Sequence, residues 1–137
     1  MSRAAPRTRQ GFHNLRSHSW ACLGCKAVYQ AKRKACDACG NPLQYFASKR
    51  EFERFRQLQL LQQAGAIAGL TLQPKFPVVI NGEHVTEYRA DFKYCENGVQ
   101  VVEDVKATVN PKYQDPVFLL KKKLVEAVYG ITITITT

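Results

Sequence analysis

Residues Tyr88 to Thr108 read Y-R-A-D-F-K-Y-C-E-N-G-V-Q-V-V-E-D-V-K-A-T, two alternating runs on either side of Asn97-Gly98. A two-residue Asn-Gly loop predicts a tight β-hairpin, because both residues tolerate the positive φ that a primed turn demands. Closing the loop between Glu96 and Val99 sets the register and carries Asp91 opposite Asp104. Alternation then sorts the faces. Tyr88, Ala90, Phe92 and Tyr94 make one apolar row on the first strand, with Arg89, Asp91 and Lys93 behind it. On the second strand Val102, Asp104 and Lys106 lie opposite in facing to Val99, Val101 and Val105. Asp91, Asp104 and Lys106 therefore share a face, and Glu103 points to the other. A one-residue slip would exchange them, which makes Glu103 the reserve acid.

Like charges opposed on a sheet destabilise it by about 1 kcal/mol or less, and neighbouring carboxylates raise one another's pKa. A divalent cation relieves both. Mg²⁺ (or Mn²⁺) takes hard oxygen ligands in an octahedron and keeps room for water and phosphate. Asp91 and Asp104 are its candidate ligands, the Val105 carbonyl is a third, and Lys106 is placed to orient water or meet phosphate charge. The same residues also fit a solvated hairpin with scattered charges.

Ala90-Asp91 followed by Asp104-Val105-Lys106 resembles the PD-(D/E)XK motif of the restriction-endonuclease-like nucleases, with Ala90 where the motif's name has Pro. More closely, Ser48-Lys49-Arg50-Glu51, Leu72-Gln73-Pro74-Lys75-Phe76, Ala90-Asp91-Phe92 and Val102-Glu103-Asp104-Val105-Lys106 resemble, in this order, a small phage-associated nuclease family related to phage Holliday-junction resolvases. The likeness spans residues 46 to 136. It implies an α/β (α+β) fold with an αβββαβ core and mixed sheet, and Mg²⁺-dependent hydrolysis of phosphodiester bonds. It also implies an acid on the first helix. That acid is Glu51, which joins Asp91, Asp104 and Lys106 as a catalytic candidate. Ser48 followed by Glu51 is equally a capping box, so Glu51 has a structural reading of its own.

The charge of +9 is uneven: residues 1 to 50 hold ten Lys/Arg and one acid, Asp37, whereas the remainder holds ten of each. A basic lobe beside a neutral domain points to a polyanionic partner, most simply nucleic acid, and a solubility tail is the plain alternative. No apolar run of about 18 residues is present to span a membrane, and the N-terminus lacks a signal peptide's apolar stretch. The expected location is the cytoplasm, that of a bacterial host if the chain is phage-encoded.

Paired cysteines in a reducing compartment read as metal ligands. Cys22-x-x-Cys25 and Cys36-x-x-Cys39, separated by ten residues, fit a closed tetrahedral Zn²⁺ site in a compact ribbon or knuckle. Two disulfides or an iron–sulfur cluster would use the same residues. With four thiolates the site has no open position and is structural. The ribbon's Lys26, Tyr29, Lys32, Arg33 and Lys34 are candidate DNA contacts, and Trp20 serves as core or anchor. His13 and His18 are surplus to a full set of cysteines, and Cys95 has no neighbouring His to activate it.

The expected organisation is a basic flexible arm over 1–17, the zinc ribbon over 18–45 and the nuclease domain over 46–137. Within the last, a helix runs from Ser48 to Gly65. Leu70 to Ile80 forms an edge or bulged strand around Pro74 and Pro77. Asn81-Gly82 turns into the strand bearing Asp91. A loop over Ala107 to Gln114 offers Lys112 to DNA. Asp115 and Pro116 start a second helix that stops at Gly130, and Ile131 to Thr136 alternates as a final strand. With this order of elements, the resemblance implies a metal-dependent endonuclease, with branched DNA such as a Holliday junction as the expected substrate and a homodimer as an expected form. Flap, single-strand and restriction-type nucleases, and a non-catalytic DNA-binding protein on the same fold, are the other readings.

Overall fold

The structure is a computed structural model that describes residues 18–137; the basic arm expected over 1–17, with His13, lies outside the described residues. The fold is mixed α+β, with three sheets and two α-helices among the described residues. The chain forms two compact units that divide between Glu53 and Arg54.

In the first unit β1 (Ser19–Cys22) is the centre of an antiparallel sheet, flanked by β2 (Val28–Tyr29) and β3 (Leu43–Phe46). Ser19 faces Phe46 across the ladder, and with Ala21 they supply the buried side. So small a sheet buries few apolar side chains, and four cysteines lie on it and its loops, Cys22 at the end of β1 and Cys25, Cys36 and Cys39 in the loops. Helix α1 (Lys49–Gln63) begins here, with the Glu51 N–H donating to Ser48 Oγ at 3.2 Å. That is one half of the capping box read from Ser48 and Glu51.

The second unit holds β4 (Ala68–Leu72), β5 (Lys75–Ile80), β6 (Glu83–Arg89), β7 (Phe92–Glu96), β8 (Val99–Val105), α2 (Pro116–Tyr129) and β9 (Ile133–Thr136). Strands β4, β7, β8 and β9 form one mixed sheet in that order, with β8 and β9 parallel, while β5 and β6 form a separate hairpin. Asn97 and Gly98 take φ of 51° and 76°, and the turn they make keeps Glu96 opposite Val99 and Phe92 opposite Glu103. The register expected from the sequence therefore holds. The ladder ends at Phe92 and Glu103, and Asp91, just before β7, still donates its N–H to the Glu103 carbonyl.

One expectation fails instructively. The strand expected over Leu70 to Ile80 is broken at Gln73-Pro74, where Gln73 adopts φ 50° and proline has no N–H to give a ladder. The opposite strand breaks at the same level, at Ala90-Asp91. Gln73 N–H donates to the Asp91 carbonyl (2.9 Å) and Ala90 N–H to the Pro74 carbonyl (3.1 Å), so the two breaks lock together. The phase of alternation changes there. Tyr88, Ala90, Phe92 and Tyr94 are consequently not one row. Phe92 stacks on Phe55 of α1 (6.4 Å between centroids), whereas Tyr88 and Ala90 belong to the core that holds Phe118 and Val125 of α2.

Helix α2 has the ends expected of it. Asp115 Oδ1 accepts from the Val117 N–H at 3.0 Å, Pro116 occupies the first turn, and Gly130 closes the helix in the left-handed region. Its buried face meets Phe76, Val78, Val102 and Ile133. Val125 is fully buried there, and Val125→Ala is expected to lower stability by about 2 kcal/mol in denaturant titration, from lost transfer energy and the cavity left behind. Because α1 covers one face of β8 and α2 the other, Val102, Glu103 and Asp104 are all buried despite their alternation.

Candidate metal-binding sites

The two Cys-x-x-Cys segments fold as near-copies. Cys22 N–H donates to the Ala27 carbonyl and Lys26 N–H to the Cys22 carbonyl; Cys36 N–H donates to the Asn41 carbonyl and Gly40 N–H to the Cys36 carbonyl. Each is a tight turn that aims two sulfurs at one point. The four ligand sulfurs lie within 4.8 Å of one another, with Cys22 to Cys39 and Cys25 to Cys36 at 3.4 Å. Zn–S bonds of about 2.3 Å in a tetrahedron require sulfurs about 3.8 Å apart, so this set fits a single Zn²⁺. An iron–sulfur cluster would spread its thiolates over separate irons. His18 is not part of the group, which is the only one of three or more potential ligands among the described residues.

Tyr29 reaches the same site. Its hydroxyl lies 3.4 Å from Cys36 Sγ and accepts from the Asp37 N–H at 3.1 Å. The Tyr29 hydroxyl hydrogen bond holds the Cys36 thiol down at about 6. Cys22 is also lowered, chiefly by the Cys25 N–H. The Ala27 N–H favours the Cys25 thiolate, yet shared hydrogen bonds with Cys36 and Cys39, and burial, push Cys25 up to about 12. Without metal the sulfurs thus share protons, which a bound Zn²⁺ displaces.

The second candidate site lies at the end of β8. Where the β7 backbone turns away, the Asp91 side chain replaces its carbonyl: Asp91 Oδ2 accepts from the Val105 N–H at 2.7 Å, and Asp91 N–H donates to the Glu103 carbonyl at 3.1 Å. Asp104, 4% exposed, accepts from the Tyr88 hydroxyl through Oδ2 and meets Lys106 Nζ at 3.5 Å through Oδ1. Lys106 Nζ sits 4.0 Å from the centre of the Phe118 ring, and its N–H donates to the Thr136 carbonyl. Burial, followed by the Asp104 charge, raises the Tyr88 hydroxyl well above its ordinary value, so Tyr88 stays a donor. Asp91, Asp104, Val105 and Lys106 are thus neighbours within one unit. Glu51 belongs to the other unit, where it is 6% exposed in the first turn of α1.

Glu103 is no reserve ligand. It is completely buried and takes two hydrogen bonds from Arg54 (2.5 and 3.0 Å), one from Tyr94 (2.8 Å) and one from Thr136 (2.9 Å). Burial pushes its carboxyl up, but Arg54, Tyr94 and Thr136 outweigh that and hold it below the ordinary value. Its acceptor capacity is spent on the fold. The sequence did not show this, because Arg54 and Thr136 lie far from Glu103 along the chain; nor did it show that Tyr88 serves Asp104, which depends on the change of phase at Ala90-Asp91.

Among the expected DNA contacts, Lys26, Lys32, Arg33 and Lys34 are all exposed on the first unit. Arg33 pairs with Asp37 at 2.9 Å and covers the Tyr29 ring at 4.7 Å. Lys112 is exposed on a short 3-10 turn, Pro111–Tyr113, beside the Tyr113 ring. Cys95 is an exposed thiol on β7, outside the four-cysteine group. Among the described residues no helix is long and apolar enough to cross a membrane.

The fold and site define a mixed α+β protein with a group of four cysteines that could hold a metal ion. The family described as Protein of unknown function (DUF1064) matches residues 26–134, and the chain belongs to that family. No curated protein and no solved structure matches it.

Proposed function

We propose that the second unit is a metal-dependent DNA endonuclease of the PD-(D/E)XK type and that the first is its zinc-stapled DNA-binding module. The observation that carries this reading is the meeting of Asp91, Asp104, Val105 and Lys106 at the end of β8, with Asp104 buried and joined to Lys106. The succession of α1, two strand pairs bent at a shared break, β8, α2 and a parallel β9 supports a restriction-endonuclease-like core.

Two carboxylates and a carbonyl are a hard-oxygen donor set suited to Mg²⁺ or Mn²⁺. Asp91, Asp104 and the Val105 carbonyl would hold the ion, which when bound polarises a phosphate and lowers the pKa of water. Tyr88 keeps one Asp104 oxygen occupied and so orients the other toward Lys106. Lys106, whose ammonium lies between the Phe118 ring and Asp104 Oδ1, would supply its positive charge to the phosphate as negative charge develops in the transition state. The substrate proposed is branched DNA, a four-way junction first among the forms to be compared.

Labelled four-way junction, flap, single-stranded and linear duplex DNA, each incubated with and without Mg²⁺ or Mn²⁺, test this. Metal-dependent cutting is expected, strongest on the junction and abolished by Asp104→Asn. Tight binding with no cutting of any form would replace the nuclease with a non-catalytic DNA-binding protein.

A further inference from the structure

The first unit's sheet has one buried side and one that is aromatic. In an antiparallel ladder, directly opposed residues project to the same side. Trp20 of β1 is opposed by Tyr29 of β2 on one flank and by Tyr45 of β3 on the other, so the three rings form a row across all three strands. Trp20 and Tyr45 are 4.9 Å apart between centroids, and His18 extends the row with its ring 6.0 Å from Tyr45. Tyr45 is 38% exposed, Trp20 and Tyr29 are half-buried, and His18 is exposed.

Cations lie over this row rather than beside it. Lys32 Nζ is 5.9 Å from the Trp20 ring and the Arg33 guanidinium 4.7 Å from that of Tyr29. Both are exposed, on the ten-residue segment between the cysteine pairs. Exposed ring and cation pairs of this kind are weak, so a base can displace the cation from the ring face and leave the long side chain to reach a phosphate. The metal centre stiffens the row, because the Tyr29 hydroxyl is bound to Cys36 Sγ and to the Asp37 N–H.

We infer that the Tyr29–Trp20–Tyr45 row is a stacking platform for the unpaired bases of single-stranded nucleic acid, with Lys32 and Arg33 neutralising its phosphates. A row of π faces takes any base, and the cations supply affinity without sequence preference. A base pair inside a helix keeps its faces stacked on its neighbours, so a paired duplex offers these rings only its two end pairs. The inference rests on the reading of this unit as a nucleic-acid module and narrows that unit's own ligand to unpaired segments, including bases opened at a branch point.

Trp20 is the only tryptophan in the chain, so its fluorescence reports on the platform directly. Zinc-loaded full-length protein, without Mg²⁺, is titrated with oligothymidylate of about ten nucleotides, with oligouridylate of equal length, and with a blunt duplex. Quenching by the single strands and not by the duplex is expected; the two single-strand arms give the preference between DNA and RNA. Tyr45→Ala is expected to weaken oligothymidylate binding about tenfold and Tyr45→Phe to keep it, with zinc content verifying that both variants fold. Lys32→Ala should flatten the salt dependence by about 0.7 in slope. No quenching, equal quenching by duplex, or unchanged affinity in Tyr45→Ala overturns the platform. The readout needs no cleavage: cutting without quenching rejects the platform alone, and quenching without cutting rejects the nuclease alone.

Discussion

A Cys36→Ser, Cys39→Ser double variant is expected to lose its metal and the fold of the first unit together. Among the described residues of that unit, the buried apolar side chains are Ala21 and Phe46, apart from the candidate ligands Cys22 and Cys36. Structural zinc supplies about 10 kcal/mol or more of apparent binding energy to segments of this size at neutral pH, more than such a sheet can replace by burial. The wild-type chain should release one Zn²⁺ per molecule when its thiols are modified. The double variant should purify without zinc and show red-shifted Trp20 emission, as β1 is released to water. Acid should release the metal too, since protons compete for sulfurs that include Cys25, pushed up to about 12 without metal. A double variant that retains zinc at the native ratio would refute the four-cysteine site.

Arg54→Ala is expected to destabilise the protein by about 3 kcal/mol at neutral pH. Glu103 has no exposure, and removing its partner leaves a buried charge held only by the Tyr94 and Thr136 hydroxyls. Breaking a buried pair from one side costs about 3–5 kcal/mol, and the lower end applies because the Arg54 side chain is 26% exposed. The sign of the pH dependence follows from the depressed Glu103 carboxyl. Its contribution is full above the ordinary glutamate value, about 4.3, and is lost as pH falls through the lowered value of the folded state. In the variant the Arg54 contribution that offsets burial is gone, so the carboxyl lies higher than in the wild-type protein. The stability gap between the two proteins should therefore be largest near neutrality and close in acid. Urea titrations across that range measure it; a gap independent of pH would mean that Arg54 acts by packing alone.

What the sequence by itself determined is what neighbouring residues decide. Asn97-Gly98 set the hairpin and its register, Ser48 started α1, Asp115, Pro116 and Gly130 bounded α2, and two Cys-x-x-Cys turns announced the four-sulfur group. In each case the determining contact spans a few residues, so turn geometry, a cap or ligand spacing is enough. The tertiary structure alone decided the rest. The alternation running from Tyr88 to Tyr94 read as one face because nothing within it signals a break; the change of phase arises where Gln73-Pro74, a distant segment, lies against Ala90-Asp91. That change sends Tyr88 to Asp104 and leaves Phe92 on the side of Phe55. Glu103 looked like an acid in reserve until Arg54, Tyr94 and Thr136 closed around it. Trp20, Tyr29 and Tyr45 became a row only when three strands paired, since a ladder joins residues that spacing along the chain leaves unrelated.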